Sequence, residues 1–318
     1  MVSQPASPCL LAFLPCTWSV FPQGALRALA DVHQTGAGTT ASRLGMADLG
    51  VAQLHDMREQ AEMIANLDPS GPPLIADMDT GYGGMQPPTS IPFPTPLRSI
   101  SSLTSPSNNP PGPIMIANSV SQYIRAGVAG FHIEDQIQNK RCGHLQGKQV
   151  VSATEFLSRI RAAKAAIIRA NSDIVLIART DANQQLGYDE CISRLRAARD
   201  LGADVGLLEG FTSKEQARQA VRDMAPWPLL LNSVENGSSP LITVQEAQEM
   251  GFKIMIFSFA ALAPAYSAIR SAYELLKVEG RVGTAKDLTP KKLFEICGLN
   301  SAIEIDKGAG GLAFAGGV

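Results

Sequence analysis

Short apolar runs recur along this chain, each closing on a polar or charged residue and most followed by a helical pattern. That repetition constrains the fold more than any other feature. The runs are Leu10–Leu14, Ala30–Gln34, Pro73–Asp79, Ala129–Asp135, Ile174–Asp181, Val205–Gly210, Pro228–Val234 and Lys253–Phe259. Most are continuous rather than alternating, as strands covered on both faces are. Between them lie helices. Ser152-x-x-Glu155 reads as a capping box, and Phe156, Ile160, Ala163 and Ile167 follow at helical spacing. Asp189 to Leu201 repeats the pattern and stops at Gly202 as a C-terminal cap. Eight β-α units in 318 residues predict an α/β chain folded as a single (β/α)8 TIM-type barrel over residues 1–318, with a C-terminal helical extension and tail at 285–318.

The strand ends carry the functional signal. Asp77 and Asp79, Glu134 and Asp135, Arg179 and Asp181, Glu209, Asn232 and Glu235, and Ser258 all fall at C-terminal tips. In a barrel these tips converge on the face that holds the active site. One stretch breaks the rhythm. Residues 85–112, rich in Pro and Ser and without periodicity, read as an irregular insertion within the domain, passive rather than a lid or a partner-binding loop.

Bulk properties narrow the class. The net charge is −2 with no basic block, so nucleic-acid binding has no electrostatic support. No apolar run is long enough to cross a membrane, so no membrane role is expected. Five scattered cysteines, in no zinc or CxxC spacing, point to a reduced compartment: cytoplasmic, with mitochondrial or peroxisomal alternatives. Leu10–Leu14 lacks the basic flank of a secretion signal.

The chemistry is specific. Asp77 and Asp79, two apart on one strand, point the same way, and Asp48 and Glu134 are placed to join them. An all-oxygen set suits Mg²⁺ or Mn²⁺ held partly through water, where it would chelate a 2-oxo or 2-hydroxy carboxylate and stabilise an enolate. Arg179 supplies a fork for a second carboxylate. In Lys140-Arg-Cys-Gly-His144 the flanking cations are expected to favour the thiolate of Cys142, fitting it to exchange a proton with carbon. These roles fit retro-aldol or retro-Claisen cleavage of a carbon–carbon bond.

Six segments together resemble the isocitrate lyase/phosphoenolpyruvate mutase superfamily: Thr35-Gly-Ala-Gly-Thr-Thr-Ala-Ser-Arg-Leu-Gly45, Ile75-Ala-Asp-Met-Asp-Thr-Gly-Tyr-Gly83, Gly130-Phe-His-Ile-Glu-Asp-Gln136, Lys140 to His144, Ile177-Ala-Arg-Thr-Asp181 and Leu231-Asn232. The resemblance implies a barrel whose C-terminal helices are often swapped between subunits of a dimer or tetramer. It implies Asp77, Asp79, Asp48 and Glu134 around a metal, largely through waters, and Thr35, Gly36 and Ala37 binding a carboxylate through backbone amides. Lys140 and Cys142 would be catalytic, Gly143 and His144 would grip substrate, and Arg179, Glu209 and Asn232 would complete the pocket. The cysteine loop resembles the carbon–carbon lyase branch, which includes 2-methylisocitrate lyase, dimethylmalate lyase and oxaloacetate hydrolases, rather than the phosphonomutases. Ser258 falls where a serine goes with oxaloacetate hydrolysis, so cleavage to oxalate and acetate is expected ahead of lyase action on a substituted malate or isocitrate. The departures are an irregular first β-α unit at Pro15–Phe21 and His33 in place of a common tyrosine. They leave open a barrel that does not close, and a relative that binds metal and carboxylate without turnover.

Overall fold

A computed structural model describes residues 16–20, 31–68, 71–83, 112–314 and 316–317. The Leu10–Leu14 run, residues 21–30 and nearly all of the 85–112 insertion lie outside the described residues. The strands are β1 Cys16–Val20, β2 Asp31–Gln34, β3 Leu74–Asp77, β4 Gly130–Glu134, β5 Val175–Thr180, β6 Val205–Leu208, β7 Leu229–Asn232 and β8 Ile254–Ile256. The helices are α1 Gly36–Thr39, which runs into a π-turn at Thr40–Leu44, α2 Leu54–Leu67, α3 Pro113–Arg125, α4 Ala153–Arg169, α5 Asn183–Leu186, α6 Tyr188–Asp200, α7 Lys214–Met224, α8 Val244–Met250, α9 Leu262–Glu279, α10 Pro290–Ile296 and α11 Leu299–Gly308.

The eight strands close into a barrel in chain order. From β2 to β8 every pairing is parallel, as the recurring β-α pattern predicts. The first strand corrects the expectation twice. The stretch Pro15–Phe21, read as an irregular loop, contains β1, and β1 runs antiparallel to both β2 and β8. Its pairing to both edges keeps the barrel closed, against the expectation that an altered first unit would leave it open. Among the described strands, closure leaves no sheet edge of the kind that presents unpaired N–H and C=O groups.

Strand alternation then places the site. Ile75, Ile177, Val205, Leu207, Leu230, Ile254 and Ile256 form the cluster inside the barrel. Two residues further along the same strands come Asp77, Arg179, Glu209, Asn232 and Ser258, so these side chains continue the interior column at its C-terminal mouth. A second, larger cluster fills the layer between strands and helices, and includes Phe156, Ile160, Ala163 and Ile167 of α4. The Ser152 hydroxyl caps α4 by accepting from the Glu155 N–H at 3.2 Å. The Glu155 carboxylate, which a full capping box would turn back to residue 152, instead takes the Arg159 guanidinium at 2.7 Å. Arg159 in turn donates to the carbonyls of Glu134 and Gln136, tying α4 to the end of β4. By contrast α9, α10 and α11 bury none of their residues. No described helix is long and apolar enough to cross a membrane.

Candidate active site

The barrel mouth holds a small pocket lined by Thr35, Ala37, Asp48, Asp77, Lys140, Cys142, Gly143, His144, Arg179, Asn232 and Ser258, with His33, His132, Ile256 and Phe259. Asp79, Glu134, Glu209 and Gly36 pack directly behind these groups. Three loops and seven strand tips therefore bring the sequence-predicted residues to one place.

One side of the pocket is acidic. The Asp77 carboxylate accepts the Gly36 N–H at 3.1 Å and the Asp79 N–H at 2.9 Å. This engagement of Gly36 departs from the expected role of its amide as a substrate donor, and leaves Thr35 and Ala37 as the pocket-facing residues of that loop. A Cβ at Gly36 would stand 2.5 Å from Asp77 Oδ2, so the close approach needs glycine. Lys140 Nζ lies 2.9 Å from Asp48 Oδ1 and also contacts Asp79 Oδ1. Burial pushes the Asp79 carboxyl up to about 7, and the nearby Asp77 and Asp48 charges add to the effect against Lys140. Burial also drives Glu134 well above the ordinary carboxylate range, although Arg179 and Lys140 oppose it. Glu134 Oε2 lies 3.2 Å from Arg179 Nε yet makes no aligned hydrogen bond. For Asp77, burial is outweighed by His132, Lys140, Arg179 and the Asp79 N–H, and the group stays below its usual value.

This side has hard oxygen donors, a surplus of buried negative charge and an orphaned carboxylate oxygen. A divalent cation fits that chemistry. Among the described residues no three His, Cys, Asp or Glu side chains converge tightly enough to hold a metal by themselves. A cation here would therefore complete its shell with water or substrate.

The opposite side is balanced. Arg179 Nε donates to Asp181 Oδ2 at 2.8 Å, and its Nη2 lies 3.6 Å from Glu209 Oε2. Lys148 Nζ reaches Asp181 Oδ1 at 2.8 Å. Burial would raise Asp181, but Arg179 and Lys148 together hold it below the ordinary carboxylate range. Asn232 donates to Glu209 Oε2 at 3.0 Å and accepts from the Ser258 hydroxyl at 2.8 Å. The Ser238 N–H donates to His144 Nδ1 at 3.2 Å, which leaves Nε2 as the protonated nitrogen, 3.5 Å from Glu209 Oε1.

Cys142 sits between the two sides. Its N–H donates to the Asp48 carbonyl at 3.1 Å. The expectation that neighbouring cations would favour the thiolate is corrected here. Burial pushes the thiol up to about 11 and outweighs the His144 N–H, Lys140 and Arg179, which favour the thiolate, while the Asp48 charge adds to the rise. The thiol is therefore protonated at neutral pH, the state of a proton donor.

Sequence reasoning missed several members. Gln136 brackets Arg141, accepting its N–H at 3.1 Å and donating to its carbonyl at 2.8 Å, and so shapes the cysteine loop. In the lining of the pocket, His33 and His132 stack with ring centroids 5.3 Å apart and share a 3.0 Å Nε2 to Nε2 hydrogen bond, while His132 Nδ1 lies 3.3 Å from Asp77 Oδ1. Burial holds both rings below the usual histidine value. The His33 departure from the usual tyrosine was visible in sequence, but its partner 99 residues away was not.

The phosphoenolpyruvate phosphomutase family model matches residues 112–277. The 2,3-dimethylmalate lyase of Eubacterium barkeri is 30% identical over 277 residues, covering 86% of this chain and 84% of its own. The 2-methylisocitrate lyase of Escherichia coli K12 is 32% identical over 266 residues, covering 83% and 79%. A solved oxaloacetate acetylhydrolase in complex with the inhibitor 3,3-difluorooxalacetate superposes with a TM-score of 0.79 at 64% identity, covering 89% of this chain and 86% of that one. A solved 2,3-dimethylmalate lyase gives 0.79 at 53%, over 90% and 85%. By family, by fold and by kinship to these lyases and hydrolases, the chain belongs to the PEP mutase/isocitrate lyase superfamily and is an enzyme of its carbon–carbon bond-cleaving branch.

Proposed function

We propose that this enzyme hydrolyses oxaloacetate to oxalate and acetate with Mg²⁺ or Mn²⁺ bound among Asp48, Asp77, Asp79 and Glu134. The observation that carries the reading is geometric: Cys142 lines one small pocket between a cation-seeking acidic wall and the Arg179 fork. Cleavage of the bond between the ketone carbon and the methylene leaves an electron pair on carbon, and that carbon needs a proton from an acid held beside it. The bound metal supplies charge stabilisation for the oxygen that becomes enolate-like. Arg179 and His144 face the carboxylates of the substrate. The Ser258–Asn232–Glu209 chain orients polar groups toward the hydrated ketone. Ser258 and the 64% identity to a structure named oxaloacetate acetylhydrolase support this substrate over a substituted malate or methylisocitrate. The 53% identity to a dimethylmalate lyase keeps that lyase reaction as the second reading. Phosphonate chemistry has no use for the thiol.

Purified protein with Mg²⁺ and oxaloacetate is expected to release oxalate, and Cys142→Ser is expected to lower turnover by about 10² or more. Absence of oxalate with cleavage of 2,3-dimethylmalate would replace the first reading by the second. Absence of turnover on both, with a Mg²⁺-dependent thermal shift by oxalate, would identify a binding protein without turnover.

The assembly reading is a homo-oligomer, dimer or tetramer, with α9 to α11 exchanged. Tyr266, Ile269, Tyr273 and Leu276 give α9 an exposed apolar stripe that its own barrel does not cover. A monomer by light scattering at micromolar concentration would overturn this.

A further inference from the structure

Lys148 takes no part in the chemistry above and does not line the pocket. It is nonetheless fully buried, at 1% exposure, on a loop leg where Leu145, Gln146, Gly147 and Gln149 are all exposed. A single buried ammonium on an otherwise solvated segment is costly unless it is paired and hydrogen-bonded. Its partners are two: the Gly143 carbonyl at 2.6 Å and Asp181 Oδ1 at 2.8 Å. Gly143 follows Cys142 directly. Asp181 is the carboxylate that also takes the Arg179 guanidinium, at 2.8 Å to Oδ2 and 3.2 Å to Oδ1.

We infer that Lys148 is a positioning residue: it fastens the Cys142 loop to Asp181, so that the proton donor and the Arg179 fork are registered on one shared carboxylate. Gly143 shows how tight that register is. A Cβ there would stand 2.6 Å from Arg179 Nη2 and 2.8 Å from Glu209 Cγ, so the loop backbone rests directly on the fork and its partner. The other leg is held independently by the Gln136 bracket on Arg141, and the bridge from Gln136 to Val150 joins the two legs at the base of the loop. Release of Lys148 therefore removes the tie between the Gly143 carbonyl and Asp181 and loosens the loop around Cys142, while the Cys142 N–H keeps the Asp48 carbonyl and His144 keeps the Ser238 N–H. Arg179 still neutralises Asp181 when Lys148 is replaced, which limits the damage to the fold.

The test reads the loop without relying on the proposed reaction. The full chain is treated with iodoacetamide, and modification is followed by peptide mass spectrometry at Cys142 and at Cys191, which is fully buried in the core. In Lys148→Met the Cys142 rate is expected to rise about tenfold or more, the factor that loss of a charge-assisted hydrogen bond implies, while Cys191 stays protected. Lys148→Gln keeps an N–H donor and is expected to fall between Lys148→Met and the parent. A Cys142 rate unchanged in a folded variant overturns the inference. So does a parallel rise at both cysteines in both variants, which would make Lys148 a fold element only. The kinetic arm rests on the oxaloacetate reading: kcat for oxalate release should fall by a larger factor than KM rises. Should no form of the protein release oxalate, that reading fails while the alkylation result still decides the role of Lys148.

Discussion

The two walls of the pocket are built from the same residue types and behave in opposite ways. On the wall of Asp48, Asp77, Asp79 and Glu134, one ammonium contacts two carboxylates, and Asp79 and Glu134 are pushed toward their neutral forms. On the wall of Asp181 and Glu209, Arg179 and Lys148 converge on Asp181 and hold it ionised. Burial alone raises every carboxylate; whether the charge survives depends on how many cations the fold aims at it. The first wall is short of positive charge and suits a metal ion. The second is complete and suits fixed recognition of an anion.

The largest expected effect breaks the balanced wall. Arg179→Met leaves Asp181, Glu134 and Glu209 without their shared partner, and should destabilise the fold by about 3–5 kcal/mol as well as abolish oxalate release. Denaturant titration measures the first and turnover the second. Asp79→Asn on the other wall should do the reverse for stability: it removes a charge the site already disfavours, so the fold should keep or gain up to about 1 kcal/mol while the Mg²⁺-dependent thermal shift disappears. A loss of stability as large as that of Arg179→Met would erase the distinction between the walls. Cys142, between them, gives a pH test. Its folded value of about 11 lies above that of an unfolded thiol, so the folded chain keeps a proton that the unfolded chain releases. Stability is unaffected below the unfolded value of roughly 8.5 and falls as pH rises from there toward 11. Alkylation of Cys142 should accelerate over the same window. Fast alkylation already at neutral pH would show an ionised thiol. Smallest is Ser258→Ala, which removes one neutral hydrogen bond to Asn232 and should cost about 1 kcal/mol, or roughly fivefold in oxalate release. A change in product rather than in rate would raise Ser258 from orienting Asn232 to selecting the substrate.

The strands from β2 to β8 and the tips that carry Asp77, Glu134, Arg179, Glu209, Asn232 and Ser258 were readable because alternation with period two is a local property. Knowing that Ile177 faces in is enough to send Arg179 and Asp181 the same way. The antiparallel β1 was not readable, since five residues carry no signal of direction relative to strands that pair with them from both ends of the chain. Lys148, between Gly147 and Gln149, carries no local signal of burial. Only the return of β5 beneath the loop supplies the Asp181 that buries it. The state of Cys142 is likewise tertiary: Lys140 is near in sequence and favours the thiolate, but burial by the folded barrel outweighs it.

Residue identity and spacing by themselves determined a repeating β-α barrel, a ring of polar tips and an acidic pair beside a cysteine loop. Those follow from hydrophobic pattern and side-chain chemistry, which are written position by position. Tertiary structure alone decided how the first strand closes the barrel, which carboxylates are neutralised, that the thiol holds its proton and that Lys148 pins the loop. Each of these depends on desolvation and on the distance between charges far apart in the chain, and an interaction through space has no address along a sequence.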